Sequence, residues 1–177
     1  MIKILQYGNP ILEQLSTEVT DVKDKEVLKL IDEMVKLLDR EQEHSAGLSA
    51  PQVGKLLRIA ICRRTDLEEK REGKSRKKLK AEWEVMINPK IVEKSKEDHE
   101  AWEGCLSINY GDLFGKVSRP KEIKVEYLDR DGNKKEIAAV DFFSHVIQHE
   151  IDHLNGILFL KYIKNPDLLY TGEELAE

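Results

Sequence analysis

Apolar side chains recur at helical spacing in the first third of the chain. Residues three or four positions apart share one face of a helix, so this spacing predicts an amphipathic helix with one buried stripe. Asp24 precedes the stripe and has the short carboxylate of an N-cap, and the helix is expected to run to about Glu43. The stripe consists of Leu28, Ile31, Val35 and Leu38.

A second stretch of helical spacing follows Asp141, which is expected to cap it. Its apolar positions predict a helix that turns one face toward the core. Histidines stand in the same stretch, so this helix is expected to place histidine side chains near the protein interior. The apolar face includes Phe142, Phe143, Val146, Ile147 and Leu154.

Short apolar or alternating runs predict strands elsewhere in the chain. Asn88-Pro89 interrupts one run, and Asp131-Gly132 predicts a hairpin turn between the last two. Strands that are separated along the chain from two helices favour an α+β fold. The predicted strands are Arg58–Arg63, Val85–Val92, Ile123–Leu128 and Glu136–Val140.

Composition and charge favour one small enzyme domain that spans residues 1–177. A chain of 177 residues is long enough for a real core, and its formal net charge of −5 does not suggest a DNA-binding protein. The first residues lack the apolar core of a signal peptide, and no apolar run is long enough to span a membrane. We therefore expect a cytoplasmic protein, most simply a bacterial one, without a membrane or DNA partner.

Residues 63–83 are dense in charge and predict a surface extension of the domain. Lys74–Lys78 forms the basic middle of this stretch. A solvated extension between two strands is favoured, because long charged loops usually lie on the surface. A basic contact to RNA at the ribosome is the alternative.

The string His149-Glu150-Ile151-Asp152-His153 has the spacing of a helical metal site. Two histidines four positions apart lie one turn apart on one face, so both can bind one ion. Glu150 points about 100° away from the first histidine, where it can carry protons without ligating. The pattern is typical of metal-dependent hydrolases. Two unrelated histidines on a helix remain the simpler alternative.

The third ligand distinguishes between classes of metal hydrolase. Phe159 stands where one class of peptidases has a third histidine, and it cannot coordinate a metal. His145 and His153 would lie about 12 Å apart along the helix axis, too far to bind one ion together. Cys105, within Glu103–Ser107, is the remaining candidate.

Other roles for these residues stay open. In one alternative, Cys105 forms a disulfide with Cys62. The missing signal peptide indicates a reducing compartment, where such a bond is rare. Alternatively, Cys105 is a nucleophile that a histidine assists. A zinc endopeptidase would take Glu173 or Glu174 as its third ligand, and a non-catalytic binding protein would keep only the fold.

Three strings, in order along the chain, resemble the signature motifs of the peptide deformylase family. They are Ser45–Gln52 (Ser-Ala-Gly-Leu-Ser-Ala-Pro-Gln), Glu103–Ser107 and Gln148–Gly156. The resemblance covers nearly the whole chain, and it departs from the family pattern at Ser45, at Ser49 and after Ser107. It implies an α+β fold with antiparallel sheets around a central metal-binding helix.

The resemblance also implies a reaction in protein biosynthesis. Members of the family hydrolyse the N-formyl group from the initiator methionine of nascent polypeptides and release formate. The metal ligands would be Cys105, His149 and His153. Glu150 would move protons, and the side-chain amide of Gln52 with the backbone N–H of Leu106 would stabilise the oxyanion.

A pocket for the formylmethionine side chain follows from the same resemblance. His145 is an unusual residue there, and we expect it to narrow or polarise the pocket. The residues that would contact the substrate are Ala46, Gly47, Ala101, Gly104, Phe142, His145 and Val146.

The donor set limits the choice of metal. One thiolate and two imidazoles suit zinc or another late first-row ion. The resemblance implies Fe²⁺ as the native ion, with Zn²⁺, Ni²⁺ or Co²⁺ able to take its place. The implied partners are N-formylmethionyl nascent peptides, with the ribosome as a further candidate.

Overall fold

The computed structural model describes residues 2–41, 45–69 and 81–176. These residues form an α+β fold, which confirms the predicted class. Their helices are α1 (Lys25–Arg40), α2 (Thr65–Glu69), α3 (Asp141–Leu154) and α4 (Gly172–Ala176). Their strands are β1 (Gly47–Ser49), β2 (Ile59–Arg63), β3 (Trp83–Lys94), β4 (Asp98–Gly104), β5 (Phe114–Pro120), β6 (Glu122–Leu128), β7 (Lys134–Val140) and β8 (Leu169–Tyr170).

The strands form two antiparallel sheets. The first sheet has five strands in the order β1-β2-β3-β6-β7, and the second has three in the order β4-β5-β8. Strands β1 and β4 are therefore sheet edges. Helix α3 contacts strands of both sheets, as the resemblance implied for the metal-binding helix.

Alternating side chains bury both faces of the five-stranded sheet. On β2, Ile59 and Ile61 join the cluster under α1, whereas Cys62 points to the opposite face and joins the cluster under α3. Met86 and Ile87 on β3 divide in the same way. The first sheet thus lies between α1 and α3. A third cluster, on the side of the second sheet, includes Leu12, Cys105, Val117 and Phe159.

Helix α1 agrees with the apolar pattern that predicted it. The carboxylate of Asp24 accepts a hydrogen bond from the backbone N–H of Glu26 at 2.7 Å, which is the expected N-cap. The helix ends at Arg40, a few residues before the predicted end at Glu43. Residue 43 itself lies outside the described ranges.

The four strand predictions were correct in place. Three of them were too short, whereas the strand predicted to begin at Arg58 begins one residue later, at Ile59. Strand β3 continues through Asn88-Pro89, because the register shifts there and Asn88 adopts a left-handed conformation with φ of 53°. The side chain of Asn88 holds the bulge by exchanging two 2.9 Å hydrogen bonds with the backbone of Val19. The predicted hairpin joins β6 to β7, with Gly132 at φ of 84°.

The predicted cap of α3 was wrong. Asp141 is the first residue of the helix, with φ of 51°, and Val140 takes the cap position without a capping side chain. The backbone N–H of Asp141 donates to the carbonyl of Lys121, so the connection between β5 and β6 holds the first residue of the helix.

The charged stretch is described only at its two ends. Arg63 ends β2, α2 follows it, and Trp83 begins β3. Residues 70–80, which include Lys74–Lys78, lie outside the described ranges. Within those ranges, every helix is too short or too polar to cross a lipid bilayer.

Candidate metal centre

The three predicted metal ligands meet at the junction of α3 and the second sheet. Cys105 directly follows β4, whereas His149 and His153 face the same side of α3. Their donor atoms all lie within 4.8 Å of one another, and Cys105 Sγ is 3.3 Å from His153 Nε2. All three side chains are buried or nearly so. The fold therefore brings together residues that are 48 positions apart.

This cluster fits a divalent metal ion. A thiolate and two imidazoles are suitable donors for late first-row ions, and three protein ligands leave a coordination position for a reactant. Among the described residues, Glu150 Oε2 is a buried polar atom beside the cluster without a hydrogen-bond partner. A water or an ion bound at the cluster would give that atom a partner.

Both cysteines are free, so the disulfide alternative was wrong. Cys62 is fully buried on β2, and burial, together with the charges of Glu150 and Glu84, raises the pKa of its thiol well above the ordinary value. It is a core thiol, as its apolar strand predicted. Phe159 is not a ligand and stacks against the ring of His149, with centroids 6.2 Å apart.

Glu103 is a site residue that sequence reasoning missed. Its Oε2 atom lies 2.9 Å from His149 Nδ1, so the carboxylate orients that imidazole with Nε2 turned to the centre. Although burial opposes it, hydrogen bonds from His145, His149 and Arg119 hold the pKa of Glu103 well below its usual range. A carboxylate behind a ligand histidine is common, and the position of Glu103 two residues before Cys105 was the available signal.

A buried ion network holds Glu103 in place. Arg119 on β5 donates to both carboxylate oxygens of Glu103, and its third contact goes to Asp152 on α3 at 2.7 Å. Tyr162 closes this network, because its hydroxyl donates to Asp152 at 2.9 Å and its ring lies 4.7 Å from the guanidinium carbon. The network links β4, β5 and α3 directly behind the metal ligands.

Glu150 lies beside the cluster in a fully enclosed position. Burial raises the pKa of its carboxyl to about 7, against smaller opposing effects that include His149 and a hydrogen bond from Ser49. Gly47 on β1 leaves the space that this carboxylate occupies. A Cβ atom added at Gly47 would overlap Glu150 Oε1, so any larger residue would displace the carboxylate.

The side chain of Gln52 points its amide nitrogen at the cluster. It belongs to the 3₁₀ helix Ala50–Val53, where its Oε1 atom accepts hydrogen bonds from the N–H and the hydroxyl of Ser49. This arrangement fixes which end of the amide faces the site. The Nε2 atom lies 3.5 Å from Cys105 Sγ and 3.2 Å from Ser107 Oγ.

The backbone at Leu106 is held by an unexpected partner near the amino terminus. Gln6 donates to the Leu106 carbonyl at 2.9 Å and accepts from the N–H of Tyr110 at 3.1 Å. The loop after Ser107, where the sequence departs from the family pattern, contains three consecutive left-handed residues. Their φ angles are 46° at Asn109, 54° at Tyr110 and 89° at Gly111.

A cavity of about 190 Å³ opens beside the cluster. Ala101 is not among the residues that line the cavity, whereas its neighbour Trp102 is, so a contact of Ala101 with the substrate stays a prediction. Successive side chains of a strand point to opposite faces, so a shift of one residue along β4 exchanges them. The other predicted contact residues do line it, namely Ala46, Gly47, Gly104, Phe142, His145 and Val146.

Comparisons with known proteins agree with this geometry. The family described as polypeptide deformylase matches residues 1–168. Peptide deformylase 2 of Nostoc sp. is 34% identical over all of this chain and 94% of its own length. Peptide deformylase 2 of Vibrio vulnificus is 39% identical over 92% of this chain and 86% of its own.

Solved structures show the same fold. The crystal structure of peptide deformylase from Ehrlichia chaffeensis superimposes with a TM-score of 0.80 and 36% identity, covering 93% of this chain and 89% of that one. The matches extend over the fold and over the three motifs whose residues meet at the cluster. The chain belongs to the polypeptide deformylase family.

Proposed function

We propose that this deformylase binds its divalent metal ion through Cys105, His149 and His153. The observation that carries the proposal is the convergence of one sulfur and two nitrogens within 4.8 Å, in the wall of a cavity. Glu174, one of the two glutamates that a zinc endopeptidase could take as a ligand, instead accepts hydrogen bonds from Thr171 in the tail. When bound, a divalent ion supplies Lewis-acid chemistry, since it acidifies water and polarises a carbonyl group.

Glu150 is the proton carrier of the reaction. Water attacks the formyl carbon, and Glu150 accepts a proton from that water. The bond between the formyl carbon and the nitrogen then breaks, the nitrogen takes a proton from Glu150, and formate and a free amine leave. A carboxyl with a pKa near 7 can both accept and donate at neutral pH, and its unpartnered Oε2 is free for this exchange.

Gln52 and Leu106 stabilise the oxyanion of the tetrahedral intermediate. The Nε2 atom of Gln52 faces the cluster, and the backbone N–H of Leu106 follows the cysteine ligand directly. Donors that are fixed before the reaction stabilise developing charge without reorganisation. Ser49 and Gln6 provide that fixation, because they hold the Gln52 amide and the Leu106 carbonyl.

The substrate peptide lies between the two sheet edges. Strands β1 and β4 each have one unpaired side, and residues of both line the cavity. An extended peptide can pair its backbone with such edges. Phe142, Val146 and Ala46 give the cavity an apolar wall that suits a methionine side chain. A relative from Acinetobacter baumannii, 31% identical, was crystallised with Met-Ala-Ser bound.

The finer features of the function rest on the family resemblance. Fe²⁺ is the proposed native ion, with Zn²⁺, Ni²⁺ or Co²⁺ as substitutes in purified protein, because the sulfur and nitrogen donors suit all four. Residues 1–177 are proposed to form one catalytic domain that acts on nascent chains in the bacterial cytoplasm. The proposed contact with the ribosome would be made by the charged residues 63–83.

Formate release tests the proposed function. Protein reconstituted with metal is incubated with formyl-Met-Ala-Ser, and formate is measured for the wild type and for Glu150→Gln. The wild type should release formate, whereas Glu150→Gln should keep its metal and lose most of the activity. A metal-loaded wild-type protein that releases no formate would contradict the proposal.

A further inference from the structure

His145 forms two hydrogen bonds that tie α3 to the edge strand β4. Its Nδ1 atom lies 3.0 Å from Glu103 Oε1, and its Nε2 atom lies 2.7 Å from the backbone carbonyl oxygen of His99. The side chain is 1% exposed, so water does not compete for either nitrogen. The ring of His99 stands edge-on to it at 5.2 Å between centroids.

Both partners of His145 are acceptors. The backbone carbonyl of His99 has no proton to donate, and Arg119 and His149 already contact both oxygens of the Glu103 carboxylate. Each ring nitrogen of His145 therefore faces an oxygen of β4, and both contacts hold that strand against α3.

We propose that His145 is a positioning residue that ties strand β4 to α3 and so fixes the two elements that carry the metal ligands. Glu103 orients His149, and Cys105 directly follows the strand that His145 holds. Its two contacts are spaced along β4, at His99 and at Glu103, and this spacing fixes the direction of the strand as well as its distance from α3. The inference rests on the proposed function of the metal site and assigns His145 no contact with the reacting atoms.

This role differs from the expected effect of His145 on the substrate pocket. The ring lines the cavity, but both of its nitrogens are already bonded to the protein. It therefore has no free N–H with which to polarise the pocket. Substitution should change metal retention and substrate affinity, and it should leave the ranking of formyl-Met over other formylated residues unchanged.

The test compares His145→Leu, which donates to neither partner, with His145→Gln, which can donate to one. Val125→Ala is the control, because it removes buried methyl groups beneath α3 without touching β4. Release of Zn²⁺ from loaded protein to a chelator is followed at a temperature where all variants are folded. Release should be about 10-fold faster in His145→Leu, in the range seen when a ligand's supporting partner is lost, with His145→Gln intermediate.

Further measurements separate positioning from packing. In His145→Leu, KM for formyl-Met-Ala-Ser should rise more than kcat falls, because the edge strand that receives the peptide is loosened. The KM of His145→Gln, which keeps a side-chain donor, should lie between those of the wild type and His145→Leu, and metal release from His145→Gln remains available if His145→Leu fails to fold.

Several results would overturn the inference. Metal release from His145→Leu equal to that of Val125→Ala would reduce His145 to a packing residue. A changed ranking of formylated residues in His145→Leu would show that His145 acts on the substrate pocket and would contradict the positioning role. If the wild type released no formate, the proposed function would fail. The metal-release comparison would still test whether His145 ties β4 to α3.

Discussion

The two sheets of this protein have interiors of opposite character. In the five-stranded sheet, Ile59, Ile61, Met86 and Ile87 are fully buried among apolar neighbours on both faces. The three-stranded sheet instead buries Glu103 and Arg119, at 6% and 4% exposure, and directs their charges at α3. Apolar burial is non-directional and stabilises the fold in proportion to area, whereas a buried ion network contributes less net stability but requires one geometry.

The two sheets therefore have different roles. The first sheet and its two helices form the scaffold, and the second supplies the residues whose orientation the metal centre depends on. Helix α3 belongs to both, because Ile147 packs toward the first sheet while Asp152 bonds Arg119 of the second. Substitutions in the two regions should therefore separate loss of stability from loss of metal geometry.

Arg119→Met should have the largest effect. It leaves Glu103 and Asp152 buried without their shared cation, which is expected to reduce the free energy of unfolding by about 4 kcal/mol and to weaken metal binding. Urea unfolding of the metal-free protein and metal content of the loaded protein measure both effects. Arg130→Met is the control, because its pair with Asp32 is half exposed and should contribute under about 1 kcal/mol. If the two variants were equally stable, the buried ion network of the three-stranded sheet would matter no more than an exposed ion pair, and the contrast between the sheets would fail.

Ile61→Ala should destabilise the protein without affecting the metal. Ile61 is fully buried on β2, and truncation leaves a cavity, so the free energy of unfolding should fall by roughly 3 kcal/mol. Zinc affinity of the folded protein should equal that of the wild type, as measured by competition with a chelator. Weaker zinc binding in the folded variant would mean that the first sheet also sets the metal geometry.

Gly47→Ala changes the point where β1 of the five-stranded sheet contacts Glu150 of α3. The added Cβ atom would overlap the carboxylate of Glu150, and a displacement of about 1 Å can lower the rate about 100-fold. We therefore expect kcat for formyl-Met-Ala-Ser to fall by about that factor while the metal is retained. Gly8→Ala is the comparison, because a Cβ atom added at Gly8 meets no atom within 4 Å, so its effect comes only from the positive φ of Gly8. A normal kcat in Gly47→Ala would show that Glu150 is not confined as described.

Asp24→Ala should have the smallest effect. It removes the N-cap of α1 on the side of the five-stranded sheet, which is expected to lower stability by about 1 kcal/mol. Thermal unfolding measures the loss, and kcat and zinc affinity should not change. A change in either would link α1 to the catalytic centre.

Local sequence signals were sufficient for most of the scaffold and for the two histidines among the candidate ligands. The stripe of α1, its Asp24 cap and the strand runs are repeated patterns that report burial directly. The metal ligands were predictable for a similar reason, since His149 and His153 lie one helical turn apart. Cys105 was found only by eliminating other ligands and by the resemblance.

The polar interior of the second sheet was not predictable in the same way. Strands β4 and β5 were missed because His99, Glu100, Lys116 and Arg119 interrupt the apolar alternation that signals a strand. Partners such as Glu103 and Arg119 are 16 positions apart, and only the fold shows that they meet. The wrong cap at Asp141 has a similar origin, since its backbone N–H bonds Lys121, which is 20 positions away in the sequence.

The two cysteines provide the most direct test of the metal centre. Cys62 belongs to the five-stranded sheet and Cys105 follows the three-stranded one, and both are buried and free. Metal content and formate release from formyl-Met-Ala-Ser are measured together for Cys62→Ala and Cys105→Ala. Cys62→Ala should retain metal and activity with a modest loss of stability, whereas folded Cys105→Ala should lose both metal and activity. A metal-loaded, active Cys105→Ala would contradict the proposed site.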